Sequence, residues 1–585
     1  MTESSDPPAH REWRRPFHRL VRHATGRIIH GGEGSDSDGL DLSLGVVLGL
    51  LALPGIFASL FLIDKYGSLF QVLRGDLNFD PYAASLPDEY FFVVVSMAVS
   101  ASVAVWKWDA VLPDRRDYNN LAPLPIGRRA FFFANLVALL VVAVVLSVDV
   151  NGASTVLFPV VVSGSRSSFL YFLRFLGAHF FSVALASIFG FVSVISVLGT
   201  LMAMLPIRTF RRISLLVRIA IIVAMMAALS MSFAIPRLID GTSVKFAGAI
   251  RAIPPVWFVG LSQSLLGRGN AFFKTARNAG LIVTGGLLIC ANATYALSYR
   301  RYYLRSVEGA SGPSHSGGTI SRMMFGVADR ALVRSPFQRA AFRFTFRALA
   351  RGPNQSLAFG WFAGLGVVVA AQTLFGGTRA AAHNIESIPS AELLSVPLIL
   401  AYFVILGIRS ALDIPANLRA NWLFRISVNP DSNECVPLAR KVVFTILGPL
   451  LTLFCFPLYA HFWGWKIALV HTAIVFLMCV SLTEILLAGF HKVPFTCALP
   501  PFKSGAIVQV LLYTAGFFVF TELPSAAEHW AFGETFGFVV FAVLFAGEWF
   551  ALRAWRKELT FLDRRVVFED KTSPAVESMH LSYGP

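Results

Sequence analysis

Charge is what this chain has least of. Only 14% of its 585 residues are Asp, Glu, Lys or Arg, while 55% are hydrophobic. A soluble protein carries roughly a quarter charged residues, so an ordinary water-soluble domain is excluded for most of the length. Cysteine is scarce too. Cys290, Cys435, Cys455, Cys479 and Cys497 form no CxxC pair, and most lie in or beside apolar runs. That argues against a disulfide framework and against a metal site. Signatures of catalysis are missing as well: there is no GxxxxGK[ST], no HExxH and no GxSxG. The chain therefore carries no ATPase motif of its own and no catalytic residue is assigned, which points away from an enzyme. The first 41 residues are polar and basic rather than a secretory leader, so the first apolar run is expected to stay as an uncleaved anchor. The NAT triplet at Asn292 falls inside an apolar run and is not read as a glycosylation site.

What the chain has instead is apolar sequence in blocks of roughly 20 residues, the length a helix needs to cross a bilayer core. The blocks are continuous and do not alternate as barrel strands do. The expected fold class is all-α, a polytopic membrane protein with spans near 42–63, 90–108, 130–148, 178–205, 213–235, 279–298, 356–375, 391–411, 442–460, 466–489, 506–523 and 530–551. The apolar stretch 153–163 reads as a partial or interfacial segment before the fourth span. Net charge is +16, and its distribution points to topology and anionic membrane lipid rather than nucleic acid. Of the 50 Lys and Arg residues, 37 fall in the termini and the alternate loops on their side, and 11 on the other side. Positive residues stay inside during insertion, so both termini are expected in the cytoplasm of a bacterial cell, at its inner membrane. Loop 236–278 holds six basic residues on the outer side, but long loops cross largely regardless of charge.

One entry pattern occurs twice, 312 residues apart: LPIGRRAFFFANLVALL from Leu124 and VPLARKVVFTILGPLL from Val436. Pro125 aligns with Pro437, Arg128 with Arg440 and Arg129 with Lys441. This organises the chain as a basic N-terminal segment (1–41), a first six-span half (42–305), a Gly/Ser/Pro-rich linker (306–321), a basic interfacial helix (322–355), a second half (356–551) and a C-terminal tail (552–585). In the interfacial helix Arg339, Arg343, Arg347 and Arg351 recur every fourth residue and form one stripe, with Phe342, Phe346 and Leu349 on the other side. Such a helix suits the headgroup layer of anionic lipid. RRPFHRLVRHATGRIIH before the first span is a poorer version of it.

The loop between the second and third spans, VLPDRRDYNNLAPLPIGRRAFFF, resembles the cytoplasmic loop of type-two ABC exporter permeases. There a short helix leads to a Leu-Pro-x-x-Arg-Arg stretch that opens span three. The resemblance implies that Asp114, Arg115, Arg116, Asp117, Asn119 and Asn120 contact a separate ATPase subunit. Pro123 and Pro125 would stiffen the turn, and Arg128 and Arg129 would hold span three at the headgroups. ATP and Mg would then be bound by that partner, with no cofactor in this chain. In the second half Pro437, Arg440 and Lys441 are the counterparts, after a loop about ten residues longer. The outer stretch AIPPVWFVGLSQSLLGRGNAFF is similar to the re-entrant helices that this family carries between spans five and six, with Pro254, Pro255 and Trp257 as the break and aromatic anchor. The resemblance allows either a homodimer or a single-chain pseudo-dimer of the two halves.

Two other readings stay open. An ion-coupled carrier of the major-facilitator type also has twelve spans, but its tight GxxxDRxGRR loop is not matched: eleven residues separate Arg115 from Gly127. A non-transporting assembly protein or membrane transferase would cluster carboxylates in an outer loop, whereas Asp64, Asp76, Asp80, Asp88 and Glu89 read as scattered solvated charge. Arg174, His179, Arg218, His471, Glu484 and Glu548 lie in or near spans, where ionisable groups are costly. Local pairing is expected for them, Glu484 with Lys492 or His491 and Glu548 with Arg553, and hydrogen-bonded structural roles for both histidines.

Overall fold

A computed structural model of the chain describes residues 8–30, 44–66, 84–111, 128–163, 169–233, 235–236, 247–307, 336–381, 389–416, 426, 435–488, 490, 492–497 and 506–562. It is all-α. The long helices form by the arithmetic of lipid: in an apolar solvent each backbone N–H and C=O must be satisfied within its own helix. Ten described helices are long and apolar enough to cross a membrane, and each of the twelve expected spans overlaps a helix.

The chain divides into two compact units, one ending at Pro313 and the other beginning at Ser314. The first holds α1 (Pro8–His30), α2 (Leu44–Phe61), α3 (Ile63–Tyr66), α4 (Leu86–Trp106), a 3-10 turn (Trp108–Val111), α5 (Arg128–Ser163), α6 (Phe169–Met204), α7 (Ile207–Ser230), α8 (Ala247–Arg251), α9 (Pro254–Leu265) and α10 (Ala271–Val307). The second holds α11 (Pro336–Arg351), α12 (Pro353–Ala381), α13 (Ala391–Leu412), α14 (Cys435–Pro449), a π-helical stretch (Leu450–Cys455), α15 (Phe456–Trp463), α16 (Trp465–Leu486), α17 (Ala506–Gly533) and α18 (Thr535–Leu562).

Several expectations are corrected. The stretch 153–163 is no separate segment; it is the last third of α5, which runs unbroken through Pro159. α5 and α6 each have 36 residues, about 54 Å of helix. That exceeds a bilayer core of about 30 Å, so the pair tilts or projects. The short outer loop expected before the last span is helical too: α17 continues through Pro524 to Gly533, and the last helix starts only at Thr535. At the middle of the chain, α10 extends to Val307, inside the expected linker; the rest of 306–321 lies outside the described residues.

In each unit the second span, α4 or α13, is the most buried of the candidate spans. α4 packs against α6 through Gly190, where an added Cβ would lie 2.5 Å from the Met97 carbonyl oxygen. In the second unit α12 and α13 meet at Gly366, whose Cβ position is 2.7 Å from Phe403 Cβ. Without an apolar driving force between helices in lipid, such close approach and its dispersion contacts hold spans together. Gly190→Ala should therefore lower the melting temperature of the purified protein, at an overpacking cost of about 1–3 kcal/mol. Gly152→Ala, where nothing lies within 4 Å, should leave it unchanged. Thermal unfolding in detergent checks both.

Candidate functional site

The first region of interest is the chain leaving the second span. In the first unit α4 ends at Trp106, and Lys107 is drawn back by two contacts. Its Nζ donates to the Ile29 carbonyl of α1 at 2.7 Å and lies 5.1 Å from the Trp106 ring centre. Burial lowers the Lys107 pKa. α1 holds this position because Leu20, Ala24, Arg27 and Ile28 are buried on one face, and Arg27 donates to Asn135 Oδ1 of α5 at 2.6 Å. Next in the chain, Trp108 is buried, with the Arg218 guanidinium of α7 over its ring. Arg218 closes a bidentate pair with Asp109, at 2.9 and 2.5 Å. Tyr295 of α10 donates to the Val111 carbonyl at 3.2 Å. Residues 107–111, which precede the segment 112–127, are thus tied to α1, α7 and α10 at once.

The second unit builds the same restraint from different residues. Past α13, Asp413 is held by Arg409 and by Lys492 at 2.6 Å. Ala416 N–H donates to the Phe495 carbonyl, and Phe495 N–H to that of Leu412, both at 3.1 Å. Gln355 of α12 donates to the Pro415 carbonyl at 3.0 Å.

The sequence-selected residues fall in three groups. Asp114, Arg115, Arg116, Asp117, Asn119, Asn120, Pro123 and Pro125 lie outside the described residues. Arg128 opens α5 and Arg129 is exposed one position on. In the second half Arg440 and Lys441 sit in α14 and are tied inward: Arg440 pairs with Glu484 of α16 at 2.5 Å, and Lys441 donates to Gln338 of α11 at 2.6 Å. Pro437, half-buried, lies in the first turn of the same helix. Glu484 thus pairs with Arg440 rather than with Lys492, which goes to Asp413; His491, the other partner expected for it, lies outside the described residues. On α11, Arg339, Arg343 and Arg347 are exposed while Ala341, Phe342, Thr345 and Leu349 are buried; Arg351 ends the helix.

At the other end of α4 lies a cluster that the sequence did not reveal. Glu89, in the first turn of α4, is fully buried. It accepts hydrogen bonds from Ser262 Oγ and, at 2.9 Å, from Gln263 Nε2, both on the short helix α9. Asp88 accepts from Tyr66 and pairs with Lys65 at 2.6 Å. Burial, and then the Asp88 charge, push the Tyr66 hydroxyl pKa well up. These two carboxylates are therefore not solvated charge. Their signal was the LPDE run, a Pro and two acids at the head of an apolar run, which is how a helix begins.

Pro254 opens α9, where a missing N–H costs nothing. Trp257 donates to the Arg251 carbonyl at 2.6 Å. Arg174 Nε donates to the Leu265 carbonyl at 2.7 Å, a cation on the helix C-terminus where the dipole favours it. Ser182 of α6 donates to the Phe258 carbonyl at 2.7 Å. Gly260 and Gly280 let α9 lie directly on α10, since a Cβ at either would fall 2.7 Å from the other helix. Close by, His179 is buried between Phe92 and Phe158. Neither of its ring nitrogens has a hydrogen-bond partner among the described residues, which corrects the hydrogen-bonded role expected for it.

The corresponding end of the second unit also buries a histidine on the fourth span, against an aromatic ring of the third. His471 of α16 lies 4.5 Å from the Tyr459 ring centre, but here a carboxylate joins it: Nδ1 is 2.9 and 3.0 Å from the two oxygens of Glu528 on α17. Among the described residues no group of three or more His, Cys, Asp or Glu could hold a metal ion, and all five cysteines are free thiols.

No protein-family model, no curated protein and no solved structure matches this chain.

Removing Glu89 strands two buried donors, at about 1–3 kcal/mol. Glu89→Ala should therefore raise amide exchange across 254–265 by more than Arg174→Ala does, since Arg174 is partly solvated. Hydrogen-exchange mass spectrometry of the purified protein checks the order.

Proposed function

We propose that this chain is the membrane permease of an ATP-driven exporter of the ABC type, with ATP and Mg bound by a separate ATPase subunit. The observation that carries the reading is the fixed exit of the second span, made twice. Segment 112–127 holds the loop whose sequence resembles an ATPase-contacting loop. The residues just before it are locked to three helices and lead straight into the buried helix α4. A push on that loop passes into the helix bundle with little slack, which coupling between a soluble motor and a membrane pathway requires. Supporting features are the outward Arg339, Arg343 and Arg347 on α11, which suit anionic headgroups, and the short helix α9, which follows the fifth span in sequence and packs on α4, α6 and α10, as fits the re-entrant element of the same family. In this reading both termini are cytoplasmic in a bacterial inner membrane, and the chain is itself no ATPase. The inward ties of Arg440 and Lys441 favour the first-half loop as the main contact.

The test is co-expression with the neighbouring genes, any ABC-type ATPase among them included, followed by purification on a tag on this chain. We expect a stable complex. Arg128→Ala with Arg129→Ala should weaken the complex about tenfold. Asp109→Asn should leave the complex intact but lower the ATP hydrolysis that the permease elicits. An ATPase that never co-purifies, with export unaffected by these substitutions, would remove the proposal. Asp109→Asn should also destabilise the protein more than Arg218→Met, because it leaves a buried guanidinium without its counter-charge, whereas the methionine removes the charge. Comparing their melting temperatures checks this.

A further inference from the structure

The second unit contains a fully buried acid–base pair that neither packing nor the proposed coupling uses. His471 and Glu528 have side chains 1% and 0% exposed. They come from different helices, 57 residues apart, and meet through His471 Nδ1. On the far side of the ring, Nε2 is buried and has no partner among the described residues. Tyr459 covers the imidazole and is itself anchored by donating to the Leu393 carbonyl of α13.

We propose that His471 and Glu528 form a proton-binding site of the second membrane half, loaded and emptied during the working cycle. In the loaded state the pair holds two protons, as imidazolium with carboxylate or as imidazole with carboxylic acid, and is net neutral. In the emptied state one proton has left to water and the pair carries one negative charge. Such a charge buried in the low-dielectric interior is expensive, so emptying requires the surroundings to change, by water entry or by arrival of a positive group. The site is thereby joined to conformation, whichever energy source drives the protein.

The charged and titratable groups of the packed elements leave this pair to set its own balance. Tyr459 and Cys455 are uncharged near neutral pH. His529, next in sequence, turns away and donates to the Pro389 carbonyl at 2.8 Å. Glu392 on α13, Lys466 on α16 and Glu522 on α17 are exposed. Glu534 is at the break before α18 and Glu548 is half-buried on α18. On α13, Arg409 and Asp413 pair at its other end.

A second observation supplies an element that could respond. The third span of this unit is interrupted by the π-helical stretch Leu450–Cys455, which ends four residues before Tyr459. A π segment holds one residue more than regular α geometry, is seldom kept without a functional reason, and can be released by a one-residue shift. Such a shift would turn Tyr459 on the imidazole. The matching stretch of α5 is regular helix, and its histidine has no carboxylate.

The experiment is pH-difference infrared spectroscopy of the full-length protein in lipid nanodiscs, with pH as the only variable from about 5 to 9. We expect a titrating component of the difference spectrum, carboxyl or imidazole, that belongs to the pair. Glu528→Gln and His471→Asn should each remove or alter that component, and Glu89→Gln should leave it in place. A second readout spares the pair itself. The Trp463 ring is 5.4 Å from Tyr459, so the fluorescence lost in Trp463→Phe should show a step at the same pH in otherwise unaltered protein. A flat response of both signals in the unaltered pair, or titrating signals that Glu528→Gln and His471→Asn both leave unchanged, would overturn the proposal.

Discussion

Arg218 sits 3% exposed within a helix that crosses apolar surroundings, where Asp109 meets it with two hydrogen bonds and the Trp108 ring covers its guanidinium. Asp109 itself is 71% exposed, so the pair lies at the edge of the bundle with the carboxylate still hydrated. The pair fixes more than itself. It pins the 3-10 turn after α4, seats Trp108 under the guanidinium, and sets where 112–127 must begin. The second unit answers the same need with Asp413 between Arg409 and Lys492. In both units the most buried span ends in a charge-locked corner; α5, α6, α7 and α9 pack on α4, and α12, α16 and α17 on α13.

The opposite ends of the units show how one plan diverges. Each has a histidine of the fourth span under an aromatic ring of the third, Phe158 with His179 and Tyr459 with His471. In the first unit the carboxylate of that region, Glu89, is taken up by Ser262 and Gln263 and serves to hold α9. In the second no separate short helix is present; α17 runs on past Pro524 and brings Glu528 to the histidine instead. The first arrangement is a structural lock. The second leaves a nitrogen and an exchangeable proton in the interior.

Sequence reading reached furthest where one residue type dominates one length of chain. Runs of about 20 apolar residues marked helices, ten of which among the described residues are long and apolar enough to cross a membrane, because lipid leaves the backbone no alternative. The arginine stripe of α11 emerged with Arg339, Arg343 and Arg347 outward, because fourfold spacing and a helical period leave little freedom. Reading failed where the outcome rested on a partner far away in sequence. Glu484 chose Arg440 rather than nearby Lys492, since α14 and α16 lie side by side. Glu89 looked like loop charge because its partners are more than 170 residues away. The segment 153–163 continues α5 through Pro159, and the span expected to end at 523 runs on through Pro524, since packed neighbours tolerate a proline that an isolated helix would not.

By itself the sequence determined the class of the protein, all-helical and membrane-embedded, because hydropathy is a local quantity. Tertiary structure alone decided which charges are locks and which can move. That choice depends on distances between helices, and a buried ionisable group takes its meaning from whatever stands across from it: Asp109 for Arg218, two neutral donors for Glu89, a histidine for Glu528.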